Sequence, residues 1–327
     1  MTRRPRWGIL GPGGIADAFT RDLITAGCSV QAVGSREQER AEAFAERHGI
    51  PNAHGSYDAL VTDPDVDIVY IATPPSEHAP NAELALNAGK HVLIEKPFTM
   101  TGDEAARVAD LARSTGLVAL EAMWTRFLPH VVRIREVIAS GALGELRSFT
   151  GVHMQRLPAE PTHRLNAREL GGGALLDLGI YPVSFASQLF GAPETVQASG
   201  RLRDTGVDAE VATVFGYVDG SLATTLSASD AAGPNTASII GTDARIDIDA
   251  TWYAPTGFRV IGAGDAVLET YMSKVDGRGM QFQAFEVERL IATGETESTV
   301  MPLDESVSIM RTLDEIRRQI GVVYPGE

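Results

Sequence analysis

Residues Arg6–Ala16 read RWGILGPGGIA. Arg6–Leu10 is a short strand candidate that runs into Gly11-Pro12-Gly13-Gly14. Ile15–Ala26 follows as a helix with Ile15, Phe19, Leu23 and Ile24 on one side. Gly11, Gly13 and Ala16 fit the spacing G-x-G-x-x-A. Gly11 can make the tight turn, Gly13 lets backbone amides approach a pyrophosphate, and Ala16 keeps the helix close to the sheet. Pro12, Gly14 and Ile15 fill the same loop and belong to the same expected ligand site. The pattern alone is weak, and a merely tight turn is the competing reading. Its place between a first strand and a first helix is the context that gives it meaning.

Outward from that loop the chain alternates. Val30–Val33 reads as a strand, Glu37–His48 as a helix, Asp67–Thr73 (DIVYIAT) as a strand and Glu77–Ala88 as a helix stopped by Gly89. His91–Glu95 is a strand, Asp103–Ser114 a helix, and Leu117–Met123 a further strand. Strands alternating with helices mean parallel crossover units, and near-continuous apolar strands mean burial on both faces. Residues 1–123 are therefore expected to form an α/β domain, a doubly wound parallel sheet of Rossmann type.

The pattern changes at residue 124. Leu128–Ala139 reads as a helix, and from about Glu145 to Met272 strands dominate. They include Thr195–Leu202, Val211–Tyr217, Ser221–Ser227, Ala244–Ile248 and Phe258–Ile261. One helix, near Ala174–Leu189, interrupts them. Two more, near Met280–Ile291 and Asp304–Ile320, close the chain. Residues 124–327 are expected to form an α+β domain on a large, open, mostly antiparallel sheet that binds substrate and mediates oligomerisation.

Composition narrows the partners. The net charge is −15, and the only short basic cluster is Arg3, Arg4 and Arg6, so a nucleic acid is not the expected partner. The basic start lacks a long apolar region, and no apolar run approaches about 18 residues, so neither a signal peptide nor a membrane span is expected. Cys28 is the only cysteine, which rules out an intramolecular disulfide and points to a reducing, cytoplasmic setting. Lys90, Lys96 and Lys274 are the only lysines among 28 basic residues. A lysine kept in so arginine-rich a chain hints that its own chemistry is used.

The second strand ends in Gly34-Ser35-Arg36, where an NAD-binding chain usually carries an acidic residue for the ribose hydroxyls. Ser35 can donate to a phosphate, and Arg36 can pair with a 2′-phosphate. Arg40 follows one helical turn later. The feature favours NADP over NAD, against the plainer reading of a solvated helix start. Thr73 and Pro74, at a strand end, are expected to border the cofactor. His78 and Glu95 are placed beside it, His78 and Asn81 with a structural alternative.

Two further stretches carry chemistry. GKHVLIEKPF begins at Gly89 and brings Glu95 and Lys96 to the C-terminal edge of the parallel sheet, where ligands of such sheets bind. A strand-end salt bridge is the alternative. GGGALLDLGIYP spans Gly171–Pro182 and sets Asp177 and Tyr181 one turn apart on a helix. A carboxylate, a phenol and a lysine make a proton-transfer set, and a cation beside a phenol favours its ionised form. Trp124, Arg126 and Arg164 are weaker candidates for the substrate pocket. His153 and His163 are too isolated to argue a metal site.

GPGGIA, ATPPSEHAPNAELALNAGKHVLIEKP and GGGALLDLGIYP, in this order over nearly the whole chain, resemble the Gfo/Idh/MocA oxidoreductases. EAMWTRFLP at Glu121–Pro129 and DLGIYP are similar to the branch that holds dimeric dihydrodiol dehydrogenase and NADP-dependent xylose dehydrogenase. The resemblance implies that Lys96 polarises the reacting hydroxyl or carbonyl, that Tyr181 is the general acid/base and that Asp177 orients or binds substrate. Many members carry Asp-x-x-x-His where this chain has Asp177 and Tyr181, so inositol dehydrogenase activity is not implied. The expected reaction is NADP-linked hydride transfer on a sugar, cyclic polyol or trans-dihydrodiol, in a homodimer or homotetramer built on the second sheet. A non-catalytic NADP- or sugar-binding regulator and an NAD-using glycosidase are the alternatives.

Overall fold

The structure, a computed structural model, describes residues 3–326. The chain divides into two compact units. One runs up to Trp124 and takes in Asp276–Val307; the other comprises Thr125–Val275 and the chain from Ser308 on. The first division falls within one residue of the expected 123/124 boundary, but the expected contiguous second domain is corrected, because 276–307 folds with the N-terminal unit. The reason lies in long-range pairing. Arg4 and Trp7 both donate to Glu288, at 2.8 and 3.0 Å, and the Asp22 carboxylate accepts from the backbone N–H groups of Arg278 and Met280.

The first unit holds β1 (Arg6–Leu10), α1 (Gly14–Thr25), β2 (Ser29–Gly34), α2 (Gln38–His48), β3 (Asn52–His54), α3 (Tyr57–Val61), β4 (Ile68–Ile71), α4 (His78–Asn87), β5 (His91–Ile94), α5 (Gly102–Thr115) and β6 (Ala119–Glu121). Every strand pairing is parallel and the order is β3-β2-β1-β4-β5-β6. This is the doubly wound sheet expected from the alternation. The order reverses between β1 and β4, which puts a crevice at their C-terminal ends. The sequence reading passed over β3 and α3. Each is too short to show a period, although Ser56 caps α3 by accepting from the Ala59 N–H. β4, most of β1 and β5 and the C-terminal half of β2 are buried, as strands covered on both faces must be.

The second unit begins with α6 (Pro129–Ala139) and β7 (Leu146–Met154). It then carries α7 (Ile180–Phe190), β8 (Thr195–Leu202), β9 (Asp208–Gly216), β10 (Leu222–Ala228), β11 (Ala237–Gly241), β12 (Arg245–Ile248), β13 (Gly257–Ile261) and β14 (Val267–Met272). α8 (Gln281–Thr293) returns to the first unit, and α9 (Leu303–Ile320) closes the fold, with the boundary between units falling inside it. The eight-stranded sheet runs β14-β13-β12-β11-β7-β10-β9-β8, antiparallel except where β10 lies parallel to β7.

Alternation along the strands makes one face of that sheet buried. Phe149, Gly151 and His153 on β7, Val211, Thr213 and Phe215 on β9, and Ala223, Thr225 and Ser227 on β10 point inward. Gly151 leaves room for Pro182 of α7, whose Cβ would stand 3.0 Å from any side chain there. Phe149 stacks on Phe185 of α7 at 5.2 Å, and Trp252 packs edge-on against Phe185. The single helix expected over Ala174–Leu189 is present, with a correction. Its first turn, Leu175–Gly179, is a π-turn, and the α-helix starts only at Ile180.

Candidate active site

The Gly11–Ile15 loop makes a tight turn from β1 into α1. Gly11 sits at φ +89°, and a Cβ there would meet Thr73 and the Ala72 carbonyl at 3.1–3.2 Å. The loop therefore abuts the end of β4 at the point where the strand order reverses. A Cβ on Gly13 or Gly14 would meet nothing within 4 Å. Gly13 is the N-cap of α1, and no side chain caps that helix. Its first N–H groups and the positive end of its dipole are thus available to a diphosphate, the fit a dinucleotide demands. Pro12 and Ile15 are half-buried beside it.

Ser35 is buried just beyond β2, and its hydroxyl oxygen accepts from the Glu37 N–H at 3.2 Å, which leaves the O–H to donate. Arg36 and Arg40 are exposed. Arg40 makes one weak pair with Glu37 at 3.8 Å, and Arg36 makes no ion pair among the described residues. The surrounding arrangement includes a residue the sequence reading missed, Tyr57 at the start of α3. Burial pushes its phenol up, Arg36 opposes the rise, Glu77 adds to it and Arg40 opposes it. Two cations and a phenol therefore share the surface beyond β2 and β3, a set suited to a phosphate and an aromatic base.

At the end of β5 the chain turns through Glu95–Phe98, and the Lys96–Pro97 peptide is cis. Three buried side chains hold the peptide groups of this turn. His78 directs Nδ1 at the Pro97 carbonyl (2.7 Å) and Nε2 at the Thr73 carbonyl (2.9 Å). Glu95 accepts from the Lys96 N–H at 3.2 Å and from the Tyr70 hydroxyl at 2.5 Å. Glu121, fully buried, accepts from the Phe98 N–H at 3.0 Å and from the Ser306 hydroxyl at 2.9 Å. Lys96 is half-buried in the middle of this bracing. His78 and Asn81 tie the β4 end together: Asn81 donates to the Thr73 hydroxyl at 3.3 Å. Pro74 is half-buried in the same segment. Lys90, in contrast, spends its ammonium on the carbonyls of Asp63 and Val66, a structural role.

In the second unit Asp177 is half-buried in the π-turn and Tyr181 is buried one turn on. The π-turn places Gly179 against β10, where a Cβ would meet the Ser227 hydroxyl at 2.9 Å. π-turns concentrate at functional positions, which suits the expected pair. Around Tyr181 stand groups that the sequence did not single out for this site. His153 lies edge-on to its ring at 5.0 Å and stacks on Tyr253 at 3.6 Å, and Tyr253 is 5.4 Å from Tyr181. Gln155 bridges His153 Nε2 (2.8 Å) and the Tyr253 hydroxyl (3.0 Å), and His153 Nδ1 contacts the Leu178 carbonyl. The inward parity of Phe149, Gly151 and His153 on β7 is the signal that could have placed His153 in this cluster.

The three weaker candidates separate. Arg126 is buried and donates to the Ser184 hydroxyl (3.0 Å) and carbonyl (2.6 Å), so it braces α7 just past Tyr181. Trp124 belongs to the first unit, with the Arg278 guanidinium 5.6 Å from its ring. Arg164 is exposed on the segment between β7 and the π-turn.

Residues 5–122 match the GFO/IDH/MocA family model, described as an oxidoreductase family with an NAD-binding Rossmann fold, and residues 131–247 match the family's C-terminal domain. The chain belongs to the Gfo/Idh/MocA oxidoreductases. It is 39% identical over 335 residues to the trans-1,2-dihydrobenzene-1,2-diol dehydrogenase of Mus musculus, covering 98% of each chain. Among solved structures it is similar to a 3-ketoreductase from Actinomadura kijaniata in complex with NADP and TDP-benzene (27% identity, TM-score 0.84, 97% and 98% covered). It is also similar to an aldose-aldose oxidoreductase from Caulobacter crescentus complexed with glycerol (27% identity, TM-score 0.87, 97% of each chain covered). This Gfo/Idh/MocA chain is thus an NAD(P)-dependent oxidoreductase, as its sequence motifs implied.

Proposed function

We propose that this enzyme is an NADP-dependent dehydrogenase of a vicinal diol or sugar hydroxyl, with Tyr181 as proton carrier and Lys96 as the cation that favours the substrate oxygen in its anionic form. The observation that carries the reading is the Glu95–Phe98 turn. Buried carboxylates and an imidazole fix its peptide groups on both sides of Lys96. Such bracing is more than a surface salt bridge needs, and it serves a side chain whose head must be held in place.

In oxidation Tyr181 accepts the hydroxyl proton while the C–H bond breaks, and Lys96 stabilises the negative charge that develops on oxygen. The nicotinamide, when bound, supplies the hydride acceptor. In reduction Tyr181 returns the proton to the carbonyl oxygen. Asp177, one turn before Tyr181, orients the substrate hydroxyl. Ser35, Arg36 and Arg40 hold the 2′-phosphate, Gly11–Ile15 border the diphosphate, and Thr73 and Pro74 border the cofactor at the end of β4. The dihydrodiol dehydrogenases at 39% identity support a trans-dihydrodiol as the first substrate to test. The test is NADP reduction with trans-1,2-dihydrobenzene-1,2-diol by wild type and Lys96→Met. Turnover lost while NADPH still binds supports the reading. Full turnover in the variant contradicts it, and a wild type that binds NADPH but turns over neither diols nor aldoses favours the regulator.

We also propose that a second copy of this chain covers the outer face of the eight-stranded sheet. Leu222 and Ile240 flank Ser148 there in one row, and all three strands expose apolar or small side chains on that side, with Val214 beside them. An open sheet face that exposes apolar side chains among small polar ones is ordinarily closed by two-fold pairing. Light scattering giving the mass of one chain would contradict it; two or four chains would support it. A cytosolic location belongs to the same proposal. It rests on the one buried thiol, Cys28, and cell fractionation checks it.

A further inference from the structure

Asp208 opens β9 and is completely buried. Its Oδ2 accepts from the Leu175 N–H at 2.6 Å, the first residue of the π-turn. Its Oδ1 is pressed against Gly173, where a Cβ would lie 2.3 Å away. Gly173 also sits at φ +129°, so neither the space nor the backbone admits a side chain. The neighbouring glycine is equally confined. A Cβ on Gly172 would stand 2.7 Å from the Leu165 carbonyl, and the Gly172 carbonyl accepts from the Tyr324 hydroxyl at 2.5 Å. Arg317 of α9 lies over the Tyr324 ring at 5.1 Å.

The run Gly171–Gly173 is therefore threaded between β9, the 165–167 segment and the C-terminal segment. Glycines ahead of a helix suggest room for a ligand; here protein atoms take the room at Gly172 and Gly173. The chain emerges from this clamp directly into the turn that carries Asp177 and Tyr181. We infer that Asp208, seconded by Tyr324, is a positioning residue: it fixes the start of the π-turn and so the placement of Asp177 and Tyr181. The inference rests on the reading of Tyr181 as proton carrier.

The choice of a carboxylate supports it. Burial pushes the Asp208 carboxyl up, to about 6, against the opposing hydrogen bond from the Leu175 N–H and the attraction of Arg317. An apolar side chain would fill the space without that penalty. What it could not do is accept from the Leu175 N–H and aim the chain.

The test compares wild type, Asp208→Ala, Asp208→Asn, Tyr324→Phe and Tyr181→Phe in NADP reduction with trans-1,2-dihydrobenzene-1,2-diol, together with NADPH binding and thermal melting. Asp208→Ala should lower kcat about 30-fold, with KM for the diol and the NADPH Kd each moving less than about three-fold. Asp208→Asn keeps an acceptor for Leu175 and should recover kcat to within about three-fold of wild type. Wild-type kcat in folded Asp208→Ala, or Asn no better than Ala, would overturn the inference. If the Ala variant does not fold, Tyr324→Phe decides: kcat reduced at unchanged KM supports the clamp, and unchanged kcat overturns it. Tyr181→Phe separates the two claims. Full turnover there, or none in wild type, removes the reading of Tyr181 and this inference with it. Turnover lost in Tyr181→Phe but kept in Asp208→Ala removes only the role of Asp208.

Discussion

His78 Nδ1 lies 2.7 Å from the carbonyl oxygen of Pro97, and the same ring reaches the Thr73 carbonyl through Nε2. One buried side chain thus joins the ends of β4 and β5. It ties the segment expected to border the cofactor to the turn that carries Lys96. A residue placed beside the cofactor from sequence proves to hold two strand ends at once.

That relationship predicts a combined effect. His78→Ala removes the contacts to both carbonyls and the packing of a buried ring, so it should cost about 2–4 kcal/mol in a denaturant titration. In the protein that remains folded, kcat should fall at least about ten-fold, because a small misplacement of a reacting group is costly. Wild-type kcat in folded His78→Ala would show that the brace does not position Lys96.

Gly13 predicts the opposite pairing of effects. Its backbone is extended (φ −95°), and a Cβ would meet nothing within 4 Å, so the fold tolerates a side chain there. Gly13→Val should melt within about 3 °C of wild type. NADPH binding should weaken about 100-fold, since the side chain occupies the approach of the diphosphate to the α1 N-terminus. A Gly13→Val protein that binds NADPH normally would place the diphosphate elsewhere.

Asp208 predicts how stability follows pH. Its carboxyl is raised to about 6 in the folded protein, above the ordinary carboxylate value it regains on unfolding. Between those values the folded state binds the extra proton, so this group's contribution is fully present below about pH 4 and is lost as pH rises through about 6. Unfolding free energies of wild type and Asp208→Asn should therefore diverge over that window. The wild type should lose on the order of 2–3 kcal/mol relative to the variant by pH 7. Parallel pH profiles would show that Asp208 does not titrate in that range.

Local features were legible and distant ones were not. β1, the glycine loop and α1 follow one another in sequence, and their apolar spacing and glycines specify them without help from elsewhere. The end of β2 was legible for the same reason, which puts Ser35 and Arg36 just past an apolar strand. The membership of 276–307 in the first unit depends on Glu288 meeting Trp7, 281 residues away, and no local pattern encodes that. The π-turn depends on Gly179 packing against Ser227 and on Asp208 meeting Leu175 across 33 residues. The aromatic surroundings of Tyr181 were half legible: strand parity turns His153 inward, but only the fold brings Tyr253 onto it. Tyr57 was missed because α3 is five residues long, too short for its period to register.

NADP linkage is tested most directly by a fluorescence titration of wild type and Arg36→Asp with NADPH and NADH. Wild type should bind NADPH at least about ten-fold more tightly than NADH, and Arg36→Asp should lose or reverse the preference, because a carboxylate repels the 2′-phosphate. Equal affinities in wild type, or a preference for NADH, would contradict it.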